Sequence, residues 1–264
     1  MRSNPVSEAA PTIARTNILG VGVSAVNMPM AIAEIDSLIA ARKPGYVCVR
    51  DAHGIIQCQD DEALRLIHNR ASLVTPDGMP LVWLSRWQGK KHVSRVYGPD
   101  LMLALCEHSI SRGYRHFFFG GAPCVPNQLA AALSARFPGL IVAGTYSPPF
   151  RPLSEIEDRA LVERLNAARP DIVWVGLSTP KQEHWMAAHR DRIEAPIMIG
   201  VGAAFDFHAG IKAQAPRWIQ RSGLEWLFRL LSEPRRLGRR YLHIVPKFAV
   251  LILLQELGLR RKPL

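Results

Sequence analysis

The sequence predicts an α/β chain built on a mostly parallel sheet, and three observations carry that prediction. Short apolar runs of strand length alternate with amphipathic stretches of helix length. Several of those runs pass straight into Gly-rich or polar loops. No internal repeat or low-complexity segment interrupts the alternation, which is the pattern of βαβ units.

Residues 1–16, with Ser3, Asn4, Pro5, Ser7 and Pro11, read as a loose leader. They lack the apolar stretch of a signal peptide, so the chain is expected not to be exported. In Gly20-Val21-Gly22-Val23-Ser24-Ala25 the spacing of a dinucleotide fingerprint occurs, but that motif needs a helix to open inside it. Asn27 instead reads as an N-cap with Pro29 in the first turn, so the helix starts at Met28 and runs to Ala41. Two short strands around a turn are expected before it.

Strands are expected at Tyr46–Val49, His116–Phe119, Leu140–Ala143, Asp171–Val175 and Ile197–Val201, with helices between them such as Pro126–Phe137 and Ser154–Ala168. The loops after three of these strands carry Gly120 and Gly121, Gly176, and Gly202. In open α/β sheets ligands bind at the carboxyl ends of strands, where glycine lets the backbone approach a phosphate, so these glycines are candidate contacts in a nucleotide-sized pocket.

In LVTPDGMPLVW (Leu73–Trp83) one carboxylate, Asp77, stands between two apolar runs. Pro-Asp-Gly is strong turn chemistry, yet loops at strand ends are also where catalytic groups sit. Both readings stay open at this point.

The charge is unevenly placed. Of the net +11, residues from Lys212 onward hold twelve Lys and Arg against Glu225, Glu233 and Glu256, while residues 1–211 are nearly neutral. This divides the chain into a leader, a core at 17–211 and a basic appendage at 212–264. In the appendage Trp226, Leu227, Leu230 and Leu231 fall at helical spacing. Phe248–Leu254 is wholly apolar but far shorter than the roughly twenty residues a bilayer span takes, so a segment lying on an anionic membrane surface is expected. The same charges would serve a nucleic-acid clamp, although no recognised reading module accompanies them. Four cysteines without a C-x-x-C pair argue for buried thiols in a reducing, cytoplasmic setting and against a zinc site. His68, His92, His108 and His116 show no ligand spacing, and His208 is as well suited to packing or backbone bonding as to catalysis.

The ordered set DAHG (Asp51–Gly54), TPDGMPLVW (Thr75–Trp83), SRVYGPDL (Ser94–Leu101), FFFGGAP, VGLSTPKQEHW (Val175–Trp185), GVGAAFDFHAG (Gly200–Gly210) and GLEWLFRLLSEPRRLGRRY resembles the WecG/TagA/CpsF glycosyltransferases, glycosyltransferase family 26. The resemblance spans about Asn17 to Tyr241. It implies a Rossmann-like core with helices on both faces and a C-terminal appendage that associates with the membrane and helps complete the active site. It implies inverting, metal-independent transfer from a UDP-sugar of the N-acetylmannosamine, N-acetylmannosaminuronate or glucose type. The acceptor would be a polyprenyl-diphosphate-linked sugar at the cytoplasmic face of the membrane, in cell-surface polysaccharide synthesis. No cofactor is implied, and homo-oligomerisation is left open.

The residues accord with that chemistry. No Asp lies two positions from another, so the D-x-D pair that holds the ion in metal-dependent transferases is missing. By the resemblance, Asp77 is the base that takes the acceptor's proton, with Gly78 beside it, and Arg95 binds phosphate in the same pocket. Gln182 would bond donor hydroxyls, with Lys181 and Glu183 as exposed neighbours, and Arg229, Arg236 and Arg239 would meet the diphosphate. Where many relatives have Thr-x-Asn, this chain has Val49-Arg50-Asp51, so a hydroxyl contact is lost and Asp51 becomes a second acid in the pocket, with His53 nearby. A nucleic-acid-binding α/β protein and an NAD-dependent oxidoreductase are the rival readings.

Overall fold

The computed structural model describes residues 13–259 and 262–264, apart from the side chains of Arg221, Ser232, Arg236, Arg239 and Arg240. In chain order the described residues form β1 (Arg15–Ile18), β2 (Val21–Ser24), α1 (Met28–Ala40), β3 (Gly45–Arg50), α2 (Ala52–Asp60), α3 (Glu62–Arg70), β4 (Leu73–Pro76), α4 (Met79–Trp87) and α5 (Gly98–Arg112). There follow β5 (Arg115–Gly120), α6 (Val125–Arg136), β6 (Ile141–Tyr146), α7 (Glu155–Ala168), β7 (Ile172–Gly176), α8 (Lys181–His189), β8 (Ile197–Gly200), α9 (Ala204–His208), α10 (Arg217–Ser222), α11 (Glu225–Ser232) and α12 (Pro234–Glu256).

Six strands make one parallel sheet in the order β4-β3-β8-β7-β5-β6. Successive side chains of a strand point to opposite faces, so a sheet covered on both sides needs unbroken apolar runs. Tyr46 and Cys48 of β3 join a core with α2, α3, α7, α8 and α12, whereas Val47 and Val49 join a second core with α1, α5, α6 and α9. This is the Rossmann-like α/β architecture with helices on both faces. Each of the five expected strands is present. β4 was not foreseen, because Pro76 and the turn after it mask a four-residue run. A proline fits there because it is the last residue of an edge strand, where a missing N–H is tolerated.

The N-terminal hairpin lies beside that edge, with Val74 N–H donating to Ser24 Oγ at 3.0 Å. Leu19 and Gly20 both take positive φ, 54° and 81°, as a two-residue hairpin turn requires. Gly20 and Gly22 therefore belong to a turn and a strand. The next helix, α1, is capped separately by Asn27, which accepts from Met30 N–H at 3.1 Å. Arg15 and Thr16, the last two residues of the expected leader, already belong to β1.

The basic C-terminal segment forms α10–α12 and is packed onto the core. Leu237, Ile244 and Leu251, seven residues apart on one face of α12, are buried. Lys247 pairs with Asp60 at 2.7 Å, and Gln255 accepts from Leu19 N–H at 2.7 Å. This changes the reading of Phe248–Leu254. Leu251 is buried and Phe248 and Ile252 pack on the core, while Val250 and Leu253 stay exposed, so only one side of the run is left for another surface. Among the described residues no helix is long and apolar enough to cross a membrane. Cys48, Cys58 and Cys106 are buried thiols as expected, but Cys124 is exposed.

Candidate active site

The carboxyl ends of β3 and β4 lie side by side, with Arg50 in register with Pro76. The Arg50 carbonyl accepts from the N–H groups of Asp77, at 2.8 Å, and Gly78, at 3.3 Å, which fixes the Pro-Asp-Gly turn against the next strand. Asp51 follows directly and caps α2, its Oδ1 accepting from Gly54 N–H at 3.0 Å. Gly78 permits this neighbourhood. A Cβ there would lie 3.2 Å from Asp51 Cα, inside ordinary contact distance. Two carboxylates, from loops 26 positions apart, thus flank one cleft.

Beneath them is a buried ion pair between Arg50 and Glu183, whose side chains are 2% and 0% exposed. Arg50 also donates to Thr179 Oγ1 at 3.0 Å, and Gln182 donates to the same Glu183 oxygen at 2.8 Å. Glu183 is therefore an internal counter-charge and not an exposed neighbour. Lys181 is exposed. Sequence reasoning passed over the pair because a charge in a polar stretch reads as a solvated one.

Above the turn, Arg95 reaches Asp77 twice, through Nε to its carbonyl and through Nη2 to its Oδ1 at 3.0 Å. The same Nη2 donates to Glu225 Oε2 at 2.6 Å, and Nη1 donates to the Gln220 carbonyl at 3.3 Å. Glu225 accepts in turn from Arg229 at 2.6 Å and from the Tyr97 hydroxyl at 3.4 Å. The guanidinium of Arg95 lies 4.2 Å from the centre of the Tyr97 ring. Helix α11 thus contributes both an acid and a base to the cleft. Tyr97, Gln220 and Glu225 had not been singled out, although Glu225 is one of only three acids in the basic C-terminal segment.

These surroundings set the Asp77 carboxyl. Burial pushes it up, Arg95 pulls it down, and Glu225 and Asp51 push it up again, to about 6 from 3.8. It nonetheless keeps 22% of its side-chain surface open, as a group at the floor of a cleft would. Burial also acts to raise Asp51, but His53, the Gly54 N–H, Arg50 and Arg229 outweigh it and hold that carboxyl below its ordinary value. The two acids are therefore set apart: Asp51 stays ionised, and Asp77 changes protonation near neutrality.

The other expected residues divide. Asp51, His53, Asp77, Gly78, Arg95 and Arg229 come together, while Arg236 and Arg239 have side chains outside the described residues. Gly120, Gly121, Gly176 and Gly202 lie along the same carboxyl edge of the sheet, but several of their groups are already engaged. Gly121 N–H donates to the Gly176 carbonyl at 2.9 Å, and Gly202 N–H donates to Gln182 Oε1 at 3.1 Å. A Cβ on Gly176 would lie 2.8 Å from the Phe205 ring, so that glycine makes room for an aromatic side chain. Gln182, expected to meet sugar hydroxyls, is buried and bonded to Gly202 and Glu183. Arg95, expected to meet a phosphate, meets two carboxylates. His208 accepts the bland reading, its Nε2 2.9 Å from the Pro99 carbonyl.

The family model for the glycosyl transferase WecG/TagA/CpsF family matches residues 16–262. The chain belongs to this family. A relative in Bacillus spizizenii, an N-acetylglucosaminyldiphosphoundecaprenol N-acetyl-beta-D-mannosaminyltransferase, is 34% identical over 187 residues, 70% of each chain. Enzymes of the same name in Bacillus subtilis and Staphylococcus aureus are 29% and 27% identical, covering 87% and 88% of this chain and 90% of each of theirs. In this WecG/TagA/CpsF family member the site at the carboxyl ends of β3 and β4 sets acids among cations. It holds one acid near its protonation midpoint, a second acid kept ionised, and guanidinium groups from both the core and the C-terminal helices.

Proposed function

We propose that the protein transfers a sugar of the N-acetylmannosamine type from a UDP-sugar to a polyprenyl-diphosphate-linked acceptor sugar, with inversion at the anomeric carbon and without a metal ion. The observation that carries the reading is Asp77, whose backbone is held by the Arg50 carbonyl and whose partly exposed carboxylate is held by Arg95, with its pKa raised to about 6. The acceptor hydroxyl oxygen forms the new bond to the anomeric carbon as Asp77 takes its proton. The bond from that carbon to the diphosphate breaks, its electrons leaving with UDP. A base within about two units of neutral pH is well matched to that transfer.

The departing diphosphate gathers negative charge and needs preorganised cations. Arg229, half-buried and held by Glu225, is the described side chain best placed to supply one. The names of the three relatives support the acceptor class and the sugar. An acceptor carried on a lipid would be met at a membrane surface, on its cytoplasmic face in this reading.

The test is UDP release with a panel of UDP-sugars and a polyprenyl-diphosphate-linked N-acetylglucosamine acceptor, with and without chelator, followed by proton NMR of the product. We expect one donor to turn over in chelator with inverted anomeric configuration. Retention of configuration, or turnover only with added divalent metal, would contradict the mechanism.

A further inference from the structure

Helix α4 opens two residues after Asp77 and carries a stripe that the site does not use. Trp83, Arg86, Trp87 and Lys90 follow one another at spacings of three, one and three, which places them along one side of the helix and its C-terminal extension. Trp87 is 80% exposed and Trp83 51%, and Arg86, Lys91 and His92 are exposed beside them. The opposite side of α4 is buried through Leu81, Val82 and Ser85. Two large aromatic side chains on one exposed face, interleaved with cations, are costly to leave in water.

The stripe continues into the C-terminal helices. A Cβ on Gly223 would lie 2.8 Å from the Trp83 ring, so the turn between α10 and α11 rests against it. Beyond that turn Leu224 and Trp226 are exposed, and Trp218 of α10 is exposed before it. The same short segment delivers Glu225 and Arg229 to the cleft. The apolar surface and the opening above Asp77 therefore share their boundary elements.

We infer that this face of α4 is a lipid-binding surface that seats the catalytic core itself on an anionic bilayer. Tryptophan is favoured at the headgroup level because its ring is apolar and its N–H is polar, and cations beside it meet anionic headgroups. Arg86, Lys90 and Lys91, with no acidic residue between Met79 and His92, give this face the matching sign. The inference rests on the proposed function in one respect: an acceptor held by its lipid must be presented from a membrane, and α4 would bring Asp77 to that plane. It goes beyond a membrane role for the tail, because α4 belongs to the core.

The full-length protein is tested by flotation with vesicles of phosphatidylglycerol and phosphatidylcholine, and with phosphatidylcholine alone. The variants are Trp87→Ala and the pair Lys90→Glu, Lys91→Glu. Wild type should float with the anionic vesicles only. The charge-reversed pair should bind at least about tenfold more weakly, since each cation near an anionic surface is worth about a fivefold change and reversal squares that factor, and Trp87→Ala should also bind several-fold more weakly. Melting temperature should not change. Turnover of a vesicle-borne acceptor should fall in parallel, while turnover of a short-chain, water-soluble diphosphate acceptor stays at the wild-type rate.

Unchanged flotation of both variants overturns the inference. So does equal loss on both acceptors, which would make α4 part of the site. A dimer in light scattering that Trp87→Ala abolishes, with flotation intact, would give the face to a second copy and overturn it as well. If wild type turns over neither acceptor yet floats in a Trp87-dependent way, the transfer reading fails and the lipid surface stands.

Discussion

Arg95 holds Asp77 by both its carbonyl and its carboxylate, so backbone and side chain of the acid are fixed by one guanidinium. A planar fork with five donors can do this, and the ammonium of a lysine cannot. Arg95→Lys should therefore lose most of the activity while remaining folded, a drop of about tenfold or more in kcat with near-wild-type melting. Steady-state kinetics beside a thermal melt decides it, and wild-type kcat in Arg95→Lys would mean that the fork does not position the acid.

The Asp77 carboxyl is raised to about 6. The rate should fall as pH drops through about 6, because the base becomes protonated. The stability consequence has a definite sign. A carboxyl whose folded pKa exceeds its unfolded value contributes stability that is present below about 4 and lost as pH rises through about 6. Asp77→Asn should accordingly gain stability relative to wild type as pH goes from 4 to 8, which paired melts at the two pH values would show.

Glu225 contributes to that elevation from a position 130 residues beyond Arg95. Neutralising it removes a like charge from Asp77 and leaves more of the Arg95 charge to Asp77. Both effects lower the Asp77 pKa. In Glu225→Gln the acid limb of the rate profile should move to lower pH, and an unmoved limb would show that Glu225 acts only on packing.

The Arg50–Glu183 pair is an all-or-none feature of the core. Removing one member strands a buried charge, at a cost of about 3–5 kcal/mol, whereas replacing both by apolar residues of similar volume can be neutral. Glu183→Leu alone should be far less stable in urea than Arg50→Met with Glu183→Leu. Equal stability of the two variants would mean that the pair is not a coupled unit.

The C-terminal helices are part of the folded body. Ile244→Ala, in α12, should cost about 2–4 kcal/mol of stability, since Ile244 is buried in the core cluster. Removing residues 234–264 should lower the melting temperature of the core as well as activity, because Leu237, Ile244 and Leu251 would leave their partners exposed to water. A truncated core that melts like the full chain would contradict the packing seen here.

Much of this fold could be read from the chain, for a physical reason. Strands buried on both faces must be continuously apolar, so YVCV, HFFF and DIVWV announce themselves, and Asn27 and Ser154 mark their helix starts with side chains that accept the first free N–H groups. β4 escaped notice because a proline closes it. The cleft was legible where local motifs carry it, as at Asp77 and Asp51. It was not legible where it depends on pairing across distance: Glu183 looked like a surface acid until Arg50 was found beside it, and Glu225 looked like one more charge in a basic tail. Gln182 was readable as important but not as buried, because the close approach of Gly202 that occupies its amide is a property of the folded loops.

Whether Asp77 is the base is decided by UDP release by wild type and Asp77→Asn on the same donor and lipid-linked acceptor. The substitution should lower kcat at least about a hundredfold, the lower end for losing a general base, with the fold intact. An Asp77→Asn enzyme that turns over at the wild-type rate would reduce the Pro-Asp-Gly segment to a turn and pass the role of base to Asp51.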